Sequence, residues 1–136
     1  MAHRNPARPL SPHLTIWKWG PHMLVSILHR ATGIALAVGG ALLLTCWLAA
    51  VAGGPEAYQR LLGCLATPWV GIAATVVGVG LTWSLFQHLC SGIRHLILDT
   101  GVGYELKANR AWSIATLFIS VAATAAVWLY VFRGML

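Results

Sequence analysis

The stretch His88-Leu-Cys-Ser-Gly-Ile-Arg-His95-Leu-Ile-Leu-Asp99 places two histidines, an arginine and an aspartate at the end of a long apolar run. Seven residues of α-helix turn through about 700°, so His88 and His95 share a face, roughly 10 Å apart along the axis. Ser84 and Gly92, four residues either side of His88, fall on the same stripe. A glycine one turn from an imidazole leaves a flat gap beside it. That suits a macrocycle lying along the helix, with His88 as axial ligand to its iron, as in haem. A hydrogen bond from His88 to a neighbouring helix accounts for the same spacing.

A second constellation is Ser26-Ile-Leu-His29-Arg30-Ala-Thr-Gly33. Ser26 and Arg30 are four apart and share a helical face. A hydroxyl donor beside a fixed cation suits a carbonyl oxygen that gains negative charge on reduction. The alternative is that Arg30 snorkels to lipid phosphate while Ser26 bonds its own helix backbone. A bis-histidine haem on His88 needs another ligand. His29 lies shallower, and a partner chain is the expected source.

These residues belong to a membrane protein. Of 136 residues, 58% are hydrophobic and 9% charged, against about 25% charged in a soluble domain. The net charge of +6 is dispersed between apolar runs. It therefore reads as topology signals and lipid-headgroup contacts, with no clustered nucleic-acid surface. Cys46, Cys64 and Cys90 lack any C-x-x-C spacing, which argues against a disulfide framework or zinc site. No signal-peptide pattern is expected at the basic start, because the apolar run after it is too long.

Residues 1–22 carry Pro6, Pro9, Pro12 and Pro21 and read as an extended arm, with Arg4, Arg8 and Lys18 as cations and Trp17 and Trp19 suited to the headgroup zone. A three-helix transmembrane domain is expected over 23–136, with helices at about 23–52, 68–98 and 110–133. The 25 uncharged residues between Arg30 and Glu56 suffice to cross ~30 Å of hydrocarbon. Gly53-Gly54-Pro55 ends the first helix, and Tyr58, Leu61, Leu62 and Leu65 then share one face of an amphipathic turn on the membrane surface. Pro68 opens the second helix, in which Gly71, Gly78 and Gly80 with Ala73 and Ala74 invite a close neighbour. Asn109 reads as the N-cap of the third helix, and Trp112, Trp128 and Tyr130 as aromatic belts. His88 is expected ~16 Å deep, near the bilayer midplane, where an ionisable side chain marks a functional site. Arg94 points elsewhere, towards headgroups. Three spans put the termini on opposite sides. Arg4, Arg8, Lys18, Arg94, Lys107 and Arg110 lie on one side and Arg60 and Arg133 on the other. Six cations against two place the N-terminus in the cytoplasm or the mitochondrial matrix.

Three motifs together, Arg8-Pro-Leu-Ser-Pro-His-Leu-Thr-Ile-Trp17, Ser26 to Gly33 and His88 to Asp99, resemble the signatures of the cytochrome b subunit family of succinate dehydrogenase, one of the two small membrane anchors of complex II. Trp17 stands where that family usually has Tyr, and Lys18 is unusual. The resemblance implies an all-α membrane protein whose helical bundle is completed by a second anchor, in a complex with an iron–sulfur subunit and a flavoprotein. It implies haem b shared with that second anchor, which supplies the other axial histidine to the iron held by His88. It also implies a quinone site, with ubiquinone the expected quinone, in which Ser26 and Arg30 are the functional pair and Trp19, Met23 and Ile27 line the pocket. His29, Arg30 and His95 would meet the haem propionates. The implied location is a bacterial cytoplasmic membrane or the mitochondrial inner membrane. With no flavin or iron–sulfur motif, the chain performs no succinate chemistry itself. Two other readings stay open: the anchor of a quinol:fumarate reductase, and a small transporter subunit with His88 and Arg30 on a proton path.

Overall fold

A computed structural model describes residues 18–134. The expectations for Arg4, Arg8, Trp17 and the rest of the arm before Lys18 lie outside the described residues. Among these residues there are helices and no strand. Helix α1 (Pro21–Ala35) runs through one π-helical turn (Leu36–Gly40) into α2 (Ala41–Ala52), and α3 (Gly54–Leu65), α4 (Pro68–Asp99) and α5 (Leu106–Arg133) follow. Three stretches are long and apolar enough to cross a membrane: Pro21–Ala52, Pro68–Asp99 and Leu106–Arg133. The first two have 32 residues each, about 48 Å of helix against ~30 Å of hydrocarbon, so both overhang or tilt.

Sequence sets the breaks. Pro21, Pro55 and Pro68 stand in first turns, where the missing N–H is no loss. Gly54 takes φ 83° between α2 and α3, and Gly101 (86°) and Gly103 (87°) take left-handed conformations between α4 and α5, which side chains disfavour. The segment expected as an amphipathic turn is a full helix, α3, with Tyr58 and Leu61 half-buried.

The third span starts earlier than expected. Residue Glu105 occupies the N-cap position of α5, and the Asn109 N–H already bonds the Glu105 carbonyl at 2.8 Å. Asn109 is therefore inside the helix and not its cap. Its side chain is taken by a neighbour: Oδ1 accepts a hydrogen bond from Arg94 Nη2. Arg94 correspondingly does not reach towards headgroups but is buried, at 8% exposure.

Packing is inverted relative to a soluble bundle. Val25 is the one apolar side chain fully buried among the described residues, beside nine polar ones. These lie on matched stripes: Ser84, Gln87, Ser91 and Arg94 on α4, and Ser113, Thr116, Ser120 and Thr124 on α5. Leu, Val, Ile and Phe side chains face outward along all three spans. Lipid is as apolar as leucine, so small and polar residues, which allow close backbones and interhelical hydrogen bonds, make the interior. Ser120 Oγ donates to Gln87 Oε1 at 2.7 Å, tying α5 to α4. Of the small residues expected to admit a neighbour, Gly78 does so. A Cβ there would stand 3.1 Å from the Trp128 ring of α5. Gly71 instead abuts the Leu65 carbonyl at the α3–α4 turn, Gly80 faces open space, and Ala73 and Ala74 are exposed. Trp128 is thus a packing residue, its ring centroid 5.5 Å from that of Phe132 with the planes tilted by 49°, while Trp112 and Tyr130 are exposed as belt residues would be.

Candidate functional site

Helix α1 lies against both α4 and α5, and this brings the two sequence constellations together. His29 of α1 enters between the two histidines of α4. Its ring stacks on His88 with centroids 3.9 Å apart and planes 7° from parallel, and lies 6.3 Å from His95. Gly92 makes the room, since a Cβ there would stand 3.6 Å from His29 Cε1. The gap expected beside Gly92 is therefore taken up by the His29 ring. Gly33 plays the reciprocal part on α1, where an added Cβ would come within 3.0 Å of His88 Cε1. The centre of α4 falls between Trp83 and Ser84, so His88 sits about 7 Å to the Asp99 side of it, off the midplane of its own helix.

Hydrogen bonds fix the tautomers. His88 Nδ1 is 3.0 Å from the His29 carbonyl oxygen and 3.3 Å from Thr32 Oγ1. A carbonyl only accepts, so Nδ1 carries the proton and a neutral ring keeps its lone pair at Nε2. Ser91 Oγ donates to the Gln87 carbonyl at 2.6 Å and accepts from His29 Nδ1 at 2.7 Å. A backbone carbonyl holding one imidazole nitrogen while the other stays free is the usual support of a metal-ligating histidine. No group of three His, Cys, Asp or Glu able to hold a bare metal ion occurs among the described residues; a haem iron needs only one such nitrogen from each side. The His29 and His88 rings stack face to face, so their nitrogens are not aimed at one atom between them.

A cavity of about 340 Å³ opens beside the histidine column and is lined by Ser26, His29, Arg30, Arg94 and His95 among others. That is at the lower end of the ~300–1,000 Å³ of small-molecule clefts, and holds a ring-sized head group. Thr32, Thr45, Thr75, Thr82 and Ser91 all bond back to their own helices. Ser26 Oγ makes no such bond, nor any other among the described residues. The backbone-bonded alternative for Ser26 is thereby removed, and its hydroxyl remains available to a ligand. Trp19, Met23 and Ile27 are not among the lining residues; Trp19 and Ile27 are exposed on the outer surface and Met23 is half-buried.

Three further residues enter the site region without having been singled out for it. Arg94 lines the cavity, Gln87 is wholly buried next to His88, and His22 lines the cavity mouth with a buried Nδ1 that has no partner. The three–four–three spacing of Ser84, Gln87, Ser91 and Arg94 is legible in the sequence as a buried stripe. Nothing comparable marks His22.

A family model described as succinate dehydrogenase/fumarate reductase transmembrane subunit matches residues 4–127. The chain belongs to that family. A succinate dehydrogenase cytochrome b556 subunit of Rickettsia bellii is 36% identical over 121 residues, covering 89% of this chain and 90% of the relative. That of Paracoccus denitrificans is 37% identical over 114 residues, 84% of each chain. The mitochondrial cytochrome b560 subunit of Sus scrofa is 36% identical over 120 residues, 86% of this chain and 68% of the relative. As a transmembrane subunit of the succinate dehydrogenase/fumarate reductase family, the chain is an all-α membrane protein, and its inverted packing is that of a protein dissolved in lipid.

Proposed function

We propose that this membrane anchor is the cytochrome b subunit of a succinate:quinone oxidoreductase, holding haem b on His88 and forming part of a quinone-reduction site with Ser26 and Arg30. The observation that carries the reading is the convergence of these groups: an imidazole with a free Nε2 stands one ring away from a cavity holding an unbonded hydroxyl and two guanidinium groups.

Haem, when bound, supplies a one-electron centre; the chain's residues do the rest. The His29 carbonyl holds His88 Nδ1, which would leave Nε2 to ligate the iron. Gly33 and Gly92 let the two helices close on the histidine column. In the cavity, Ser26 donates its hydroxyl hydrogen to a quinone carbonyl oxygen. Arg30 supplies a permanent positive charge that stabilises the negative charge developing on that oxygen, most strongly where water is scarce. His29, Arg30 and His95 would meet the haem carboxylates. A second anchor would supply the other histidine to the haem, an iron–sulfur subunit would deliver electrons, and a flavoprotein would oxidise succinate upstream. Ubiquinone is the quinone that the family resemblance implies.

The test is the haem spectrum of the purified complex. His88→Ala should remove or grossly perturb the low-spin haem absorption, because an open coordination position changes the iron spin state. His95→Ala should keep ligation and shift only the potential. An unaltered spectrum in His88→Ala assigns the ligand elsewhere, and a wild-type complex without haem sinks the reading.

A further inference from the structure

Arg94 has a place in the site that neither its sequence position nor the haem and quinone assignments give it. It lies within a membrane-spanning helix and is 8% exposed. Its Nη2 donates to Asn109 Oδ1, its Nε is buried without any partner, and no carboxylate pairs with it among the described residues. Asn109 satisfies one N–H but is neutral and leaves the charge uncompensated. Asp99 lines the same cavity and makes no ion pair with it. A guanidinium never deprotonates to escape burial as a lysine does, so an unpaired one inside a span calls for an anion. The open side of Arg94 is the cavity that also holds Ser26, His29, Arg30 and His95.

We propose that Arg94 binds an anionic oxygen of the ligand occupying this cavity, acting from α4 as Arg30 acts from α1, with Asn109 holding the guanidinium in position. The inference rests on the haem and quinone reading above. Two ligands present the required chemistry: a carboxylate of the haem side chains, and a quinone oxygen as it takes up negative charge.

The experiment compares R94Q, R94K and N109A in the intact purified complex. It measures haem content, haem midpoint potential, the KM for a short-chain ubiquinone, and succinate oxidation with a soluble dye. The expected result is that R94Q keeps the haem absorption but lowers its midpoint potential, because losing a cation beside a haem carboxylate favours the ferric state, while R94K stays close to wild type. An unchanged potential with a several-fold higher quinone KM and normal dye activity supports the inference with the quinone oxygen as the bound group. Unchanged potential and KM in R94Q overturn it, whereas N109A shifting the same quantities in the same direction supports Asn109 as the residue that positions the guanidinium. If R94Q fails to assemble, R94K decides. Assembly at wild-type potential supports a charge requirement, and failure of both overturns the inference in favour of packing. A wild-type complex lacking haem and quinone activity is a failure of the underlying reading, visible before any Arg94 variant is measured.

Discussion

Ser26 and Gly33 are seven residues apart on α1 and face two different demands. In the proposed quinone site Ser26 would offer a hydrogen, and its Oγ has no other partner among the described residues. Ser26→Ala should lower quinone-site efficiency roughly five- to thirtyfold, the loss of one hydrogen bond at ~1–2 kcal/mol. Arg30→Leu should lower it further. Both should leave dye-linked succinate oxidation intact in assembled complexes, whereas equal loss with both acceptors would indicate failed assembly. Gly33 must offer nothing at all. An alanine methyl there would stand 3.0 Å from His88 Cε1, so the imidazole or the helix must yield. Gly33→Ala should therefore shift the haem absorption or potential while leaving the chain in the membrane. A wild-type spectrum would mean that His88 has slack the stacked rings do not suggest.

At the level of helices, the polar stripes of α4 and α5 carry the association that apolar burial carries in water. Ser120→Ala leaves Gln87 Oε1 without its donor and should lower resistance to unfolding in mixed micelles by ~0.6 kcal/mol, up to ~1.7. Replacing both partners, Ser120→Ala with Gln87→Leu, should recover part of the loss, since two apolar groups leave nothing unpaired. A double variant weaker than the single one would argue against the hydrogen bond as the tie. The same stripes show where sequence reading stops. Three spans, the proline starts of the first two and the glycine turns follow from local chemistry, and His88, Ser26 and Arg30 stand out as polar groups in apolar runs. Which side of a helix meets which neighbour is a tertiary fact. Arg94 adjoins His95 in the chain yet faces α5, where Asn109 waits for it, so a residue that looks like a cap is a partner instead. His29 looks too shallow to meet His88 until α1 crosses α4 and sets one ring upon the other.

For the whole molecule, charge distribution predicts orientation. With six cations on the arm and near the adjoining ends of α4 and α5 against two on the other side, Gly54 should lie outside and Gly101 in the cytoplasm or matrix. A cysteine introduced at Gly54, after replacement of the native free thiols Cys46, Cys64 and Cys90, should react with an impermeant reagent in intact cells. Labelling at Gly101 and not at Gly54 would reverse the assignment. The cationic cavity then opens towards the cytoplasmic or matrix side, where soluble subunits delivering electrons would dock.

The π-turn at Leu36–Gly40 divides the first span into unlike halves. Below it, α1 buries Val25 and Thr32 against α4 and α5; beyond it, α2 buries no residue and touches only α3 and the π-turn itself. A π-turn is one residue in excess of the α-helical count, and one residue is about 100° of rotation. Removing a single residue such as Ala37 would restore a plain α-helix without disturbing the histidine column, and would instead swing the α2 face round towards different lipids or a different partner. The first span therefore contains a rotary joint in its register. A lineage could gain or lose one residue there and so re-aim its outer half while the chemistry of its inner half stays fixed.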